Sequence, residues 1–278
     1  MTSIVIPAHN EEAVIGRCLG ALLDGAAADE LEIVVACNGC TDGTAARARS
    51  FGRPVQVVEI DEASKTAALN AADRVATGFP RIYVDADVVL PLGSVRKLVK
   101  VLERGDALLA SPVADTDTSA SSAAVRDFYD IWHRLPYNQV MVGTGVYALS
   151  QEGRARFGEF PSIIADDGYV RSRFLPQERV AVHDAPVRVF APRTYGDLIR
   201  VKTRGRVGGY ELRAKFPQPG TSDPKAAGAI VKSLPWDVRL PWKAAVYVWA
   251  NIVVRIGAYR RLRGDGRLVW ERDERSRV

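Results

Sequence analysis

The sequence predicts an α/β fold with a mostly parallel sheet that is flanked by helices. In the first half of the chain, short apolar and β-branched runs alternate with segments whose apolar residues recur at helical spacing. This alternation is typical of a parallel sheet, because parallel strands need a crossover connection that is usually a helix. A cluster of polar residues also follows each of these runs. Strands are predicted at residues 4–7, 33–36, 55–60 and 81–85.

The second half predicts three further strands and a more helical end. The strands are expected at residues 107–113, 143–150 and 179–189, and the helices at 123–135 and 194–214. The polar stretch 115–122 is predicted to be a solvated loop, together with its two acids, Asp115 and Asp117. A Pro, Gly and Ser-rich segment at 215–228 indicates a flexible connection. We therefore predict a domain at residues 1–214, followed by a loop and an amphipathic helical extension at 215–278.

Composition and charge narrow the class of protein. The chain has 278 residues, enough for a substantial core, and its three cysteines are consistent with free thiols in the cytoplasm. It opens on a strand rather than on a secretory leader, and no 18-residue apolar run predicts a membrane span. Residues 1–199 carry 20 Lys+Arg and 26 Asp+Glu, a net charge of −6, whereas residues 200–278 carry 18 and 7, a net charge of +11. The basic end indicates an anionic partner, and no nucleic-acid-binding motif accompanies it, so we expect no nucleic acid.

The basic end also contains an apolar and aromatic segment at residues 240–256, which three arginines follow. A helix of this composition can lie on an anionic membrane surface, and it can equally pack against the globular core. Both interpretations stay open from the sequence. The first predicts a peripheral protein on the inner face of the membrane, and it suggests a lipid-linked substrate.

The polar clusters that follow the first four strands predict the functional site. In an open parallel sheet, ligands bind at the carboxyl ends of the strands, so these clusters should meet at one edge. An Asp-Ala-Asp motif follows the fourth strand, and Mg²⁺ prefers carboxylate oxygens combined with substrate phosphates. The sequence thus indicates a site for a metal-bound diphosphate with a heterocycle beside it. Its candidate residues are Pro7, His9, Asn10, Glu11, Asn38, Lys65, Asp85 and Asp87.

The same residues resemble the family 2 glycosyltransferases, which have the GT-A fold, a Rossmann-like sheet flanked by helices. Four segments match the family in order and spacing, and the resemblance covers about residues 3–175. They are the opening strand and turn at residues 5–11, the turn at 38–44, the helix start at 65–70, and the Asp-Ala-Asp motif at 85–87. The resemblance implies an inverting hexosyltransferase. Such an enzyme moves a sugar from a nucleotide-diphosphate donor to a hydroxyl acceptor with the help of Mg²⁺ or Mn²⁺.

The resemblance also implies roles for individual residues. Asp167, with its neighbour Asp166, falls where the family has its general base, and Asp85 and Asp87 fall where it binds the metal. A late-strand histidine completes the metal shell in some GT-A enzymes, which makes His183 a candidate ligand. The acceptor side is expected at Gly143, Thr144 and Gly145, and the diphosphate clamp at Arg204 and Arg206. The tryptophan that processive synthases carry beside this clamp is missing here, which predicts a non-processive enzyme.

Three alternatives accompany this interpretation. A nucleotidyltransferase would need a Gly-rich loop after the first strand, where this chain has Ala-His-Asn-Glu. A sugar-nucleotide-binding or membrane-surface module would bind the nucleotide without turnover. Finally, Cys37 and Cys40 form a Cys-x-x-Cys pattern that indicates structural thiols, a redox pair, or a zinc site with His9 and Cys18.

Overall fold

The computed structural model describes residues 1–135, 143–217 and 240–263, and it contains a seven-stranded mixed sheet. The strands stand in the order β3-β2-β1-β4-β6-β5-β7, and β6 runs antiparallel to both of its neighbours. All other neighbouring strands pair in parallel. The predicted mostly parallel α/β sheet is therefore confirmed. The strands are β1 (Thr2–Ala8), β2 (Leu31–Asn38), β3 (Val55–Ile60), β4 (Arg81–Val84), β5 (Leu109–Asp117), β6 (Val146–Leu149) and β7 (Arg179–Phe190).

Helices cover both faces of this sheet. Because the central strands are buried on both faces, they consist of nearly continuous apolar residues, and every residue of β1 is buried. Two separate apolar clusters, one that contains Ile6 and one that contains Leu69, include alternating residues of the same strands. The helices are α1 (Glu12–Leu23), α2 (Thr44–Arg49), α3 (Lys65–Val75), α4 (Leu92–Glu103), α5 (Ala123–Trp132), α6 (Gln151–Arg154), α7 (Asp166–Arg171), α8 (Tyr195–Lys215) and α9 (Leu240–Arg263).

The fifth strand is longer than the sequence predicts. Residues 115–117 continue β5 and pair with the end of β7, so the prediction of a loop here is wrong. Asp115 forms an exposed ion pair with Arg188 at 3.4 Å. The polar sequence of this stretch reflects an exposed strand end, where side chains reach water while the backbone still pairs.

Helix α9 packs against the domain with one face only. Ala250 joins a buried cluster with residues of α5 and α8, and Tyr247 stacks on Phe128 with ring centroids 5.0 Å apart. Lys243 pairs with Asp130 of α5 at 2.6 Å. The opposite face of α9 exposes large apolar residues. In the described part of the chain, no helix is long and apolar enough to cross a membrane. The division into residues 1–214 and 215–278 stays a prediction, and 218–239 and 264–278 lie outside the described residues.

Candidate active site

A cavity of about 650 Å³ opens at the carboxyl edge of the sheet. It brings together most of the residues that the sequence predicts for the site. From the strand ends come Pro7, Lys65, Asp85 and Asp87. From the later turn and helices come Gly143, Thr144, Gly145, Asp166, Asp167, Arg204 and Arg206. The fold thus places residues from distant parts of the chain around one space, as expected for the carboxyl ends of parallel strands.

A lysine that lines this cavity bridges two acids. Lys65 Nζ lies 2.7 Å from Asp85 Oδ1 and 3.1 Å from Asp166 Oδ1. Lys65 is the first residue of α3, whose N-cap Ser64 accepts a hydrogen bond from the backbone N–H of Ala67. Burial alone would lower the pKa of Lys65, but the surrounding carboxylates outweigh it and raise that pKa. Lys65 is therefore a permanent cation that joins the end of β4 to the start of α7.

The turn before β6 shapes the space beside Asp85. Gly145 has a positive φ of 64°, and its carbonyl accepts a hydrogen bond from the backbone N–H of Asp85 at 2.8 Å. A Cβ at Gly145 would lie only 3.0 Å from Asp85 Oδ2. Glycine is thus required here both by the backbone conformation and by the close approach to the carboxylate.

The two acids of α7 differ in environment. The side chain of Asp166 is 4% exposed and pairs with Lys65, whereas Asp167 is exposed and accepts a hydrogen bond from the backbone N–H of Gly168. Burial raises the pKa of Asp166 to about 6, although Lys65 opposes the shift. The buried acid anchors the helix start, and the exposed acid presents its carboxylate to the cavity.

Helix α8 supplies the basic wall of the cavity. The predicted clamp residues Arg204 and Arg206 line it, and Arg213 lies further along the same helix. Arg206 donates a hydrogen bond to Asn251 Oδ1 of α9 at 3.3 Å. Close packing holds this helix near α7, because a Cβ at Gly208 would lie 2.9 Å from the Ile164 side chain. Gly208 thus lets α8 approach the segment that leads into α7.

The predicted nucleoside side forms a neighbouring cluster of loop residues outside the cavity lining. His9 Nδ1 contacts the carbonyl of Asn38, and Asn38 Nδ2 donates to the carbonyl of Ala8 at 2.9 Å. Asn10 adopts a φ of 50° and donates through Nδ2 to Thr41 at 3.1 Å. Glu11 is buried, and its backbone N–H donates to Thr44. These contacts fix the two loops that follow β1 and β2 against each other.

His183 is not part of this site. It is exposed near the bulge of β7, seven residues before Phe190, which lines the cavity at the carboxyl end of the strand. In the described part of the chain, His183 does not line the cavity and joins no group of His, Cys, Asp or Glu side chains that could hold a metal ion. The structure thus gives no support to His183 as a metal ligand, and this role stays a prediction.

The Cys-x-x-Cys pattern forms no metal site. Cys37 and Cys40 share a hydrogen bond that lowers the pKa of Cys40 and raises that of Cys37. Cys18 is in the core, with its sulfur 3.9 Å from the carbonyl of Asp85. Among the described residues, no group of three or more His, Cys, Asp or Glu side chains could hold a metal ion. The zinc hypothesis is thus contradicted there, while the redox hypothesis stays a prediction.

Asp85 and Asp87 fit a hard divalent cation that shares its ligands with a substrate. Two carboxylates are the usual protein contribution to a Mg²⁺ site whose remaining ligands are phosphates and water. Both aspartates line the cavity, so a substrate phosphate that enters it could share such an ion with them. Because no third acid or histidine joins them in the described residues, the substrate itself would have to complete the shell.

The sequence did not predict the aromatic part of the cavity. Lys202 of α8 lines it together with three aromatic residues of α5, Phe128, Tyr129 and Trp132. Nothing in the local sequence relates them, since α5 and α8 are about seventy residues apart. The only local signal is the spacing of Lys202 and Arg206, which places both on one face of a helix.

Comparison with known proteins agrees with this geometry. The family model described as glycosyl transferase family 2 matches residues 3–151, more than half of the chain. The chain belongs to glycosyl transferase family 2. The resemblance in the motifs is thereby confirmed, and family membership argues against the nucleotidyltransferase alternative. No curated protein is significantly similar in sequence to this glycosyltransferase.

Solved structures show the same GT-A fold. A mannosyltransferase from Pyrobaculum calidifontis, in complex with GDP-Man and Mn²⁺, is similar with a TM-score of 0.64 and 24% identity, over 94% of this chain and 80% of that one. Glucosyl-3-phosphoglycerate synthase from Mycobacterium tuberculosis, in complex with UDP, gives a TM-score of 0.58 and 20% identity, over 80% and 82% of the two chains. The same synthase is also known in complex with Mn²⁺, UDP-glucose and phosphoglyceric acid.

Proposed function

We propose that this protein is an inverting, non-processive hexosyltransferase that moves a sugar from a nucleotide-diphosphate donor to a hydroxyl acceptor with the help of Mg²⁺ or Mn²⁺. One observation carries the proposal. A single cavity combines two carboxylates at a strand end, a basic helix wall, and an exposed carboxylate on α7. The first two suit a metal-bound diphosphate, and the third suits a general base.

Asp167 is the proposed base. It removes the proton from the acceptor hydroxyl as that oxygen attacks the anomeric carbon, and the bond from this carbon to the diphosphate breaks. A single displacement inverts the anomeric configuration. Asp167 is favoured over Asp166, because Lys65 and burial hold Asp166 in place. Arg204 and Arg206 would hold the diphosphate by charge-assisted hydrogen bonds.

Asp85 and Asp87 would hold the cation. A divalent ion bound there would offset the charge that develops on the diphosphate as it leaves. Lys65 has a separate task in this scheme. It neutralises part of the acid cluster, so that the edge of the sheet is not too negative for an anionic donor. The nucleoside would extend toward His9, Asn10, Glu11 and Asn38.

A ligand panel tests the donor proposal. Thermal unfolding would be followed with UDP, GDP, UDP-glucose and GDP-mannose, each with Mn²⁺ and with EDTA. A ligand at one hundred times its dissociation constant stabilises the fold by about 2.7 kcal/mol, so one nucleotide should stand out with metal present. Asp87→Asn should abolish the metal-dependent part of the shift. No metal-dependent shift with any of the four would contradict the proposal.

Turnover separates an enzyme from a binding module. With the donor that binds, Asp167→Asn should retain the thermal shift but release no nucleoside diphosphate, and the wild-type product should have the inverted configuration by NMR. Asp166→Asn is the comparison variant, because it should alter folding stability through Lys65. Wild-type binding without any release of nucleoside diphosphate would support the module instead, and unchanged turnover in Asp167→Asn would remove it as the base.

We also propose that α9 docks the enzyme on the anionic inner face of the membrane, where it meets a lipid-linked acceptor. Seven of the nine exposed large hydrophobic residues in the described chain are on α9, with exposures between 43% and 67%. Along one face, five of them recur at intervals of seven, three, four and three residues: Trp242, Trp249, Ile252, Ile256 and Tyr259. The full set is Trp242, Val248, Trp249, Ile252, Ile256, Tyr259 and Leu262.

The charge of α9 favours an anionic membrane over a second copy of the protein as the partner of these exposed apolar residues. Helix α9 has five basic residues and no acidic residue. Two copies that paired through the stripe would bring arginines together without counter-charges, whereas each basic residue near an anionic lipid surface contributes about 1 kcal/mol. The inner face of Trp242–Leu262 already packs on α5 and α8, so only the outer face is available.

Vesicle sedimentation tests this surface. The protein should sediment with phosphatidylglycerol vesicles and less with phosphatidylcholine alone, and salt should weaken the binding. The double variant Trp249→Asp and Ile256→Asp should remove it. Leu175→Asp is the matched control, since Leu175 is 56% exposed but lies away from α9. Absence of vesicle binding would overturn the proposal, as would a dimer in solution that the double variant dissociates.

A further inference from the structure

We propose that Lys202 binds a phosphate monoester group of the acceptor at the aromatic end of the cavity. Lys202 Nζ lies 4.7 Å from the ring centroid of Trp132, 5.1 Å from Tyr129 and 5.6 Å from Phe128. Among the described residues, no carboxylate lies within salt-bridge distance of this ammonium group. A basic side chain is thus placed in an aromatic pocket without a charged partner, and it lines the same cavity as the catalytic acids.

The aromatic surroundings of Lys202 favour the binding of an anion. Aromatic faces stabilise an ammonium group through their quadrupole, so the cation can stay in a half-buried place without an acid. Burial lowers the pKa of Lys202 to about 8. The charge is therefore poorly compensated, and an anion that entered would gain more from it than from a solvated lysine.

Two other basic groups that line the cavity already have polar partners. Lys65 is matched by Asp85 and Asp166, and Arg206 is hydrogen-bonded to Asn251. The acids Asp85, Asp87 and Asp166, where the donor diphosphate and a divalent cation are proposed to bind, are not among the groups that contact Lys202. Lys202 is thus available for a second anion, which must belong to the other substrate. This inference rests on the proposed function, since it assigns the acceptor to the remaining part of the same cavity.

The chemistry favours a phosphate ester beside an apolar or ring-shaped group. Lysine binds phosphate as a point charge and does not need the planar fork that arginine offers to carboxylates. Around it, Tyr247, Ala250 and Val254 of α9 add apolar wall to the cavity. Two sources share this chemistry. One is a soluble phosphorylated alcohol, and the other is the phosphate of a lipid carrier that enters beside α9.

Calorimetric binding tests the inference and separates the two sources. Protein saturated with Mn²⁺ and the nucleoside diphosphate that binds would be titrated with glycerol 3-phosphate or with farnesyl phosphate in detergent. Glycerol and farnesol are the uncharged counterparts. At least one phosphate should bind more tightly than its alcohol. Lys202→Met, which keeps the apolar stem, should weaken that binding by about tenfold or more. Lys100→Met, an exposed lysine of α4, is the control.

The outcomes separate the proposed phosphate site at Lys202 from the proposed donor site. If the nucleoside diphosphate and Mn²⁺ bind but neither phosphate binds, or if Lys202→Met binds phosphate as the wild type does, the inference is overturned and the donor site stands. If the nucleoside diphosphate itself fails to bind, the proposed function fails. Lys202→Arg keeps the charge and should retain phosphate binding, so it provides a second reading should the Met variant fold poorly.

Discussion

Replacing Lys65 by methionine removes the cation that joins β4 to α7 and keeps most of the side-chain volume. Lys65 contacts two carboxylates of unequal exposure, Asp166 at 4% and Asp85 at 36%. Without the ammonium group, the buried carboxylate of Asp166 has no counter-charge, while water still reaches Asp85. The loss of folding stability should therefore come mainly from Asp166.

The magnitude follows from the geometry. At 3.1 Å, with an effective dielectric constant of about 20, the attraction between Lys65 and Asp166 is about 5 kcal/mol. Desolvation of the ammonium group in the folded wild type offsets part of it, and the loss of one partner from a buried pair typically costs about 3–5 kcal/mol. The Asp85 contact adds little, because exposed ion pairs contribute less than about 1 kcal/mol. We expect Lys65→Met to lower the free energy of unfolding by about 3 kcal/mol at pH 8.

The loss should depend on pH with a definite sign. Burial already raises the pKa of Asp166 to about 6 in the wild type, and removal of Lys65 must raise it further. A group whose pKa is raised on folding contributes stability that is present at low pH and lost as the pH rises through its folded-state pKa. At pH 5 both proteins hold a largely protonated Asp166. The difference between variant and wild type should therefore be smaller at pH 5 than at pH 8.

Urea unfolding in EDTA at both pH values measures this difference. Lys97→Met is the matched control, because Lys97 pairs with Asp184 at 3.2 Å on the surface and should cost less than about 0.5 kcal/mol. Adding Asp166→Asn to Lys65→Met should recover most of the lost stability. Equal losses in Lys65→Met and Lys97→Met, or a loss that is the same at both pH values, would refute this reasoning.

Three further predictions concern the support of the site. Asp73→Ala should lower the free energy of unfolding by about 3 kcal/mol, since the buried Asp73 binds two arginines and the Tyr83 hydroxyl beneath β4; a loss under 1 kcal/mol in urea unfolding would contradict this. Gly145→Ala should cost about 1–2 kcal/mol through its positive φ and should also weaken Mn²⁺-dependent nucleotide binding, because its Cβ would push on Asp85; unchanged calorimetric binding would speak against this contact. Removal of metal by EDTA should reduce nucleotide binding in the wild type far more than in Asp87→Asn, and equal reductions would exclude Asp87 as a ligand.

The sequence predicted the part of the site around Lys65, Asp85 and Asp87, because each of its motifs is visible in a short stretch of sequence. The Asp-Ala-Asp motif ends an apolar strand, Lys65 opens a helix, and both lie at strand ends that a parallel sheet must bring together. The placement of His183 outside the cavity lining could not be predicted, because it does not depend on local sequence. Its strand was predicted, but the distance along β7 to the cavity depends on the register and on the bulge beside Pro186, which no local pattern encodes.

Long-range packing explains what else was missed. The strand end at Asp117 has the composition of a loop, and only its pairing with Phe190 makes it a strand. Lys202 meets aromatic residues that come from α5, so its environment depends on how α5 and α8 pack. The two interpretations of the C-terminal helix, packing or membrane contact, were not exclusive. One face of α9 packs, and the other is exposed.

The charge asymmetry of the chain has a physical meaning in the folded protein. Four of the acids of residues 1–199 and four basic residues of α8 line one cavity, so the substrates would enter a space with both signs of charge. Anionic substrates with a divalent cation complete both sides, since phosphates pair with the basic wall while the cation pairs with the acids. Helix α9 connects this cavity with the proposed membrane surface. Residues on its inner face line the cavity near the aromatic residues of α5. A membrane bound to its outer face would therefore lie close to the proposed phosphate site at Lys202. Loss of vesicle binding should then impair transfer to the hydroxyl of a phosphorylated, lipid-linked acceptor and leave transfer to a soluble phosphorylated alcohol unchanged.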